Sequence, residues 1–384
     1  GRSFWILDDL SALRQMNPQI TNSASHLFKP RDVYRAGFFG GGDAGTAGDS
    51  PTGQNPPNGA VVYYWLKKPG QTVTMDFLDS KGAVIHSYTS AQDPLVARDS
   101  LRNESVRAAR ADSLRKAGIN ADSITKLQAR GEETPAFTDG PRRAQPPQRV
   151  GNKAGLNTFV WNMRYPDAST FENLIMWAGG TTGPAAIPGA YTVRMRVNGT
   201  TESQTFKLIK DPRSKATQAD LADQFAFLIQ VRDETSKAND AVKVIRNFRT
   251  QLADREKKLP ADKLAPFESS ANAMMTPLSA AEQEIYQVKN RSGQDPLNYP
   301  IKLNNKIAAL AGVASGTDAR PTNQTREVFR ILSAQLDTQL GRVHSAIGAS
   351  LPGLNAQLKS AGLAELVETS VETPSETPGA SRGR

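Results

Sequence analysis

Alternating apolar and polar positions between residues 60 and 210 predict strands. Ala60 to Leu66 (Ala-Val-Val-Tyr-Tyr-Trp-Leu) is apolar on both faces, the pattern of a strand covered on each side. Thr72 to Leu78 alternates, with Val73, Met75 and Phe77 on one face. The turn Asp79-Ser80-Lys81-Gly82 leads back through Ala83 to Tyr88 as a hairpin. Thr158 to Arg164 puts Phe159, Trp161 and Met163 on one face. Tyr191 to Val197 directs Tyr191, Val193, Met195 and Val197 inward and Arg194 and Arg196 outward. Asn198-Gly199 then turns the chain, and Thr201 to Ile209 returns with Phe206 and Leu208 inward. Ser3 to Leu7 reads as a further strand stopped at Asp8-Asp9. Short strands separated by turn signals predict a β-sandwich.

From Thr217 the apolar spacing becomes helical. Leu221, Phe225, Leu228, Thr235, Val242, Ile245 and Leu252 trace one face of a long helix, with Thr217 as its cap and Asp220 three residues on. Pro260 ends it. A second helix runs from about Asp262 to Val288, its regularity limited by Pro266 and Pro277, and Met274-Met275 fills core space in it. A third spans Ile301 to Ala314. A fourth spans Asn323 to Ser350 with the stripe Val328, Ile331, Leu332, Gln335, Leu336, Leu340, Val343 and Ile347. Leu351-Pro352-Gly353 is expected to stop it, with a short helix at Leu354 to Leu366 beyond. Long helices with short connections predict an antiparallel bundle.

Four stretches lack such periodicity. Residues 36–59 are dense in Gly and Pro and read as a loop; the triple glycine at 40–42 is not followed by the Lys-Ser/Thr of a phosphate cradle. Residues 92–150 interrupt the sandwich with two short, highly charged helices and a Pro/Arg/Gln-rich run, an arm projecting from the domain. The connection Asp167 to Pro188 carries Phe171, Leu174, Ile175, Met176 and Trp177, expected to tuck over a sandwich end or to face a partner. Residues 367–384 are a low-complexity tail. The chain thus divides into an N-terminal extension (1–54), a sandwich (55–212) carrying the insertion, a helical bundle (213–366) and the tail.

Composition narrows the chemistry. There is no cysteine among the 384 residues, which excludes thiol catalysis, disulfides and Cys-ligated metals. The three histidines, His26, His86 and His344, are far apart in sequence, so neither a metal site nor a cofactor is expected. The net charge of +9 is spread: 8 basic against 7 acidic residues in 1–91, 11 against 8 in 92–150, 8 against 4 in 151–216 and 20 against 19 in 217–384. No Lys/Arg run exceeds two residues, so the surplus suits an acidic docking surface better than nucleic acid. No apolar run reaches the 18 or so residues of a membrane span. The chain has no Gly-x-Ser-x-Gly elbow, His-Glu-x-x-His or P-loop, and Asp8-Asp9 reads as a strand end rather than a catalytic pair. An enzyme is not expected.

Gly1 to Asp9 (Gly-Arg-Ser-Phe-Trp-Ile-Leu-Asp-Asp), Asn55 to Ala60 (Asn-Pro-Pro-Asn-Gly-Ala), Ala154 to Asp167 and Pro188 to Val193 together resemble the C-terminal part of bacterial BNR-repeat, sortilin (VPS10)-like proteins, often labelled glycosyl hydrolases. The resemblance extends to the helical region from Asp211-Pro212-Arg213. It implies an Ig-like, FlgD-like sandwich, hence an α+β multi-domain chain in which that sandwich precedes the bundle. The family's β-propeller and its Asp-boxes are missing, so any glycosidase activity would lie in the absent part. The start at Gly1, without Met or a signal peptide, suits a processed or truncated relative. The family is typically exported, which implies a periplasmic or cell-surface location, peripheral to the membrane.

The resulting expectation is a non-catalytic structural subunit that docks on a larger membrane-associated assembly. Candidate hosts are an electron-transfer or photosynthetic reaction-centre complex, a secretion machine or a surface filament. The motivation is two rigid modules flanked by segments with no evident core of their own, 1–35, 36–59, 92–150 and 367–384. Ordering such segments costs about 1–2 kcal/mol of backbone entropy per residue. Expected contact residues are Phe4, Trp5, Phe38, Phe39, Met176 and Trp177, with Arg107, Arg110, Arg142 and Arg143 on the arm. The alternative is a carbohydrate-binding or carbohydrate-active module using Trp65 or Trp161 as glycan platforms.

Overall fold

Residues 9–35, 57–91 and 148–368 are described by a computed structural model. They divide into two units: 9–35, 57–91, 148–164 and 187–213 form one, and 165–186 with 214–368 form the other.

The first unit is built on two sheets. Its elements are α1 (Ser11–Gln15), α2 (Pro18–Asn22), β1 (Ser25–Leu27), β2 (Val33–Arg35), β3 (Ala60–Leu66), β4 (Val73–Leu78), β5 (Val84–Thr89), β6 (Gly155–Trp161), β7 (Gly189–Val197) and β8 (Thr200–Lys210). The three-stranded sheet has the order β1-β3-β6 and the five-stranded sheet the order β2-β8-β7-β4-β5. All neighbours are antiparallel except β2, which runs parallel to β8. Alternation dictates which side chains meet. Tyr191, Val193, Met195 and Val197 are buried, as the pattern predicts, and so are Phe206 and Leu208. Trp161 of β6 stacks on Phe77 of β4 with centroids 4.7 Å apart, and Phe159, Tyr191 and Phe206 complete the aromatic core. Gly59 is required beside that core, because a Cβ there would lie 2.2 Å from the Trp161 carbonyl oxygen.

Two expectations about this unit need correction. Residues 9–35 do fold: Ala12, Ile20 and Phe28 form a small core that covers Tyr63 and Trp65 on the outer face of β3, which is why that strand is apolar on both sides. The β1 and β2 segments are too short to show a period. Side chains of β8 help hold β1: Glu202 accepts from the Leu27 amide (3.0 Å) and Gln204 donates to its carbonyl (3.2 Å). Strand β6 ends at Trp161 rather than Arg164, because the Asn162 side chain accepts from the Arg164 amide (3.1 Å) and turns the chain. Asp76 lies on the arginine-bearing face of β4 yet is buried, held by Arg194 (2.8 Å), Arg196 (3.0 Å) and the Ser87 hydroxyl (2.7 Å) from the two flanking strands. Arg194 and Arg196 point outward as expected and close over this carboxylate.

The second unit is helical: α3 (Gln218–Glu256), α4 (Ala261–Ile285), α5 (Leu303–Ser315) and α6 (Asn323–Ser360), with a 3-10 turn at Asp295–Leu297. Phe227, Val231 and Val242 of α3 pack with Ile307 and Leu310 of α5 and Leu336 of α6. Further along, Ile245, Phe248 and Leu252 pack with Phe267, Met274 and Leu278 of α4 and Val343, Ile347, Leu354 and Leu358 of α6. That second set explains why Pro352 does not stop α6. The apolar stripe continues on the same face through Leu354 and Leu358, and its burial outweighs the roughly 3 kcal/mol penalty of an interior proline. Pro266 and Pro277 are likewise carried inside α4. The stripe on α6 is narrower at its start than the sequence suggests: Val328 (44%) and Ile331 (43%) are exposed, as is Gln335.

The start of α3 is acid-sensitive. Thr217 and Asp220 form a reciprocal capping box, and Arg320 also bonds Asp220. The bonds from Thr217, and then Arg320, hold the Asp220 carboxyl down at about 2 against an ordinary 3.8. A depressed carboxyl contributes stability above its unfolded pKa and loses it as pH falls through the folded value. Amide-exchange protection in the first turn of α3 should therefore drop between pH 3.8 and about 2. In Asp220→Asn that acid step should be absent.

Candidate functional site

The connection between β6 and β7 is rich in apolar residues, and its described contacts tie it to the helical unit. Residues 165–186 belong with the helices. Tyr165 packs edge-on to Phe225 (4.7 Å) and Phe171 edge-on to Tyr286 (4.9 Å). A loop buried in this way must find partners for its backbone polar groups, and the helices supply them from buried side chains. The Ser169 amide donates to the Ser236 hydroxyl (3.1 Å), and the Asn239 amide donates to the Ser169 carbonyl (2.7 Å). Asn239 is fully buried and its oxygen accepts from Asn304 (3.0 Å). The Tyr286 hydroxyl accepts from the Ile175 amide (3.3 Å) and donates to the Asn173 carbonyl (3.2 Å). Burial raises the pKa of this phenol, which keeps the donated proton in place.

Trp177 is held by a two-point clamp. Its amide donates to Asn305 Oδ1 (2.8 Å) and its carbonyl accepts from Asn305 Nδ2 (2.7 Å). Gly179 is pressed against the same residue, where a Cβ would come 2.9 Å from Asn305 Nδ2. The neighbouring Ala178 adopts a left-handed backbone (φ 52°), a conformation that costs a non-glycine residue roughly 1–2 kcal/mol and that the clamp offsets. The backbone is fixed while the side chain is 40% exposed. Met176 is half-buried.

Below this loop lies an ion triad centred on a buried carboxylate. Glu282 of α4 is buried, and its two oxygens accept from Arg246 Nε (2.8 Å) and Arg249 Nη2 (2.7 Å) of α3. The Arg246 guanidinium lies over the rings of Phe171 (4.7 Å) and Tyr286 (5.3 Å) and donates to the Glu172 carbonyl (3.3 Å). One cation therefore ties α3, α4 and the loop together. The same residues border a cleft of about 740 Å³, lined also by Asn173, Ile175, Val288 and Arg291. The triad offers positioned donors; both carboxylate oxygens of Glu282 are occupied by arginines.

Of the residues singled out from sequence, Phe4, Trp5, Phe38, Phe39, Arg107, Arg110, Arg142 and Arg143 lie outside the described residues, as do the strand expected at 3–7, the charged helices expected in the arm and residues 369–384 of the tail. The described edges of the insertion are tied together, since Arg149 donates to the Ser90 carbonyl (2.7 Å). Trp161 is buried in the aromatic core, which removes it as a glycan platform, and Trp65 is half-buried against the Met16 cluster. His26 faces Glu202 (3.4 Å), His86 stacks on Tyr88 (4.1 Å) and His344 is exposed, so the three histidines do not converge. Among the described residues there is no group of three or more His, Asp or Glu side chains arranged to hold a metal, and no helix long and apolar enough to cross a membrane. Sequence reasoning did not find Arg246, Glu282, Tyr286 or Asn305. The available signal was polar residues in helices at positions facing the core, above all the Asn304-Asn305 pair. Comparison of the chain with protein families, curated proteins and solved structures finds no match.

Proposed function

We propose that this chain is a non-catalytic accessory subunit that docks on a larger assembly on the periplasmic side of a bacterial membrane, with Trp177 as an anchor. The carrying observation is the clamp on Trp177: an exposed indole on a backbone fixed by Asn305. Tryptophan is the residue most enriched among interface anchors, and a pre-fixed anchor loses little entropy when a partner covers it. The exposed Val328 and Ile331, one turn apart on α6, add apolar surface in the same unit. The basic surplus favours an acidic partner surface. The two facing sheets support an Ig-like reading of the first unit, and the export of the resembling family supports the periplasmic one. An electron-transfer or photosynthetic reaction-centre complex remains the proposed host.

Trp177→Ala is expected to weaken association with that assembly by about 2 kcal/mol or more, roughly 30-fold, while thermal stability stays within about 0.5 kcal/mol of the parent. Association and stability are to be measured side by side. Unchanged association in Trp177→Ala would remove Trp177 as the anchor.

A further inference from the structure

The cleft beneath the loop has features that docking does not use. Its lining includes the apolar Ile175 and Val288 and the ring-bearing Tyr286, together with Arg246, Arg249 and Arg291 against the single carboxylate of Glu282. The lining therefore carries two positive charges more than negative ones. Asp295 is nearby, but it accepts from the backbone amides of Arg291 and Ser292. Arg246 is engaged by Glu282, Glu172 and two rings. The other two guanidiniums keep donors available. Arg249 uses only Nη2, toward Glu282 (2.7 Å) and Ser279 (3.4 Å), and Arg291 uses only Nη1, toward the Val288 and Asn290 carbonyls (3.0 and 3.2 Å). Each guanidinium has five N–H donors, so most of theirs have no protein acceptor among the described residues.

Asn290 also lines the cleft and is 6% exposed; its Oδ1 is shut off from solvent and has no hydrogen-bond partner.

We propose that this cleft binds a small organic oxyanion, a carboxylate or phosphoryl group carried on an apolar or aromatic body. Arg249 and Arg291 would take the oxyanion through paired N–H donors. Ile175, Val288 and Tyr286 would pack on the body. The volume lies within the range of small-molecule sites. The site is independent of the docking reading and stands or falls without it.

The test is calorimetric titration of the full chain with benzoate, with phenyl phosphate and with uncharged benzyl alcohol. At least one anion is expected to bind saturably, at one per chain, with an affinity about tenfold or more above that of benzyl alcohol, and to weaken as salt rises. Which anion binds more tightly distinguishes carboxylate from phosphoryl ligands. Arg291→Gln, whose parent side chain bonds only to nearby backbone, and Arg249→Gln are each expected to lower that affinity about tenfold. Folding of each variant is read by circular dichroism. Absence of binding by both anions at about 10 mM, equal binding of benzyl alcohol, or undiminished affinity in a folded Arg291→Gln chain would each overturn the proposal.

Discussion

Trp161→Ala is expected to destabilise the first unit by about 3–5 kcal/mol, the range for emptying a large aromatic site in a packed core. The magnitude follows from what the indole touches. Trp161 is fully buried, stacks on Phe77 at 4.7 Å and meets Tyr191 and Phe206, so its removal leaves a void bordered by both sheets. Its Nε1 has no hydrogen-bond partner. Trp161→Phe should therefore recover much of the loss, because the smaller ring gives up packing volume but no polar contact. Urea denaturation, with exchange protection of the β3 and β6 amides as the local readout, checks both variants. If Trp161→Ala cost under about 1 kcal/mol, the residue would not be at the centre of a packed core.

Arg246→Ala should have the second largest effect, about 2–3 kcal/mol. Truncating one partner of a buried ion pair costs about 3–5 kcal/mol, and the figure here is lower because Arg249 still serves Glu282 and Arg246 is itself partly exposed. The lost contacts also include two rings and the Glu172 carbonyl. Arg246→Lys should rescue little, since an ammonium cannot reproduce the planar fork that lies over Phe171 and Tyr286 while bonding Glu282. The distinguishing readout is local: amide protection at Ile175 and Trp177 should fall more than protection in the middle of α3. A uniform loss would show that Arg246 supports the helices but does not hold the loop.

Much of the architecture was legible because it rests on periodic burial. Tyr191, Val193 and Met195 alternate, and Thr217 with Asp220 marks a helix start from four residues alone. What sequence did not show depends on contacts distant along the chain. Residues 25–27 and 33–35 are too short for a period, and their pairing with β3 and β8 is a tertiary event. The 165–186 loop packs on the helical unit through Asn239, Asn305 and Tyr286, which lie some 70 to 130 residues away. A helix period assigns such asparagines to the solvent side, and only the need to satisfy a buried backbone puts them inside. Pro352 shows the reverse error. A local stop signal is overridden when the apolar stripe beyond it has a core to enter.

The central claim is that the chain works as a bound subunit. The most direct measurement is the size distribution of the native protein after gentle solubilisation of its source membranes, by sedimentation or mass photometry with a tag on this chain. Nearly all of it is expected in particles several times its own 41.5 kDa mass, at a fixed ratio to the same partner subunits. Recovery of the chain chiefly as a free 41.5 kDa species would contradict the account.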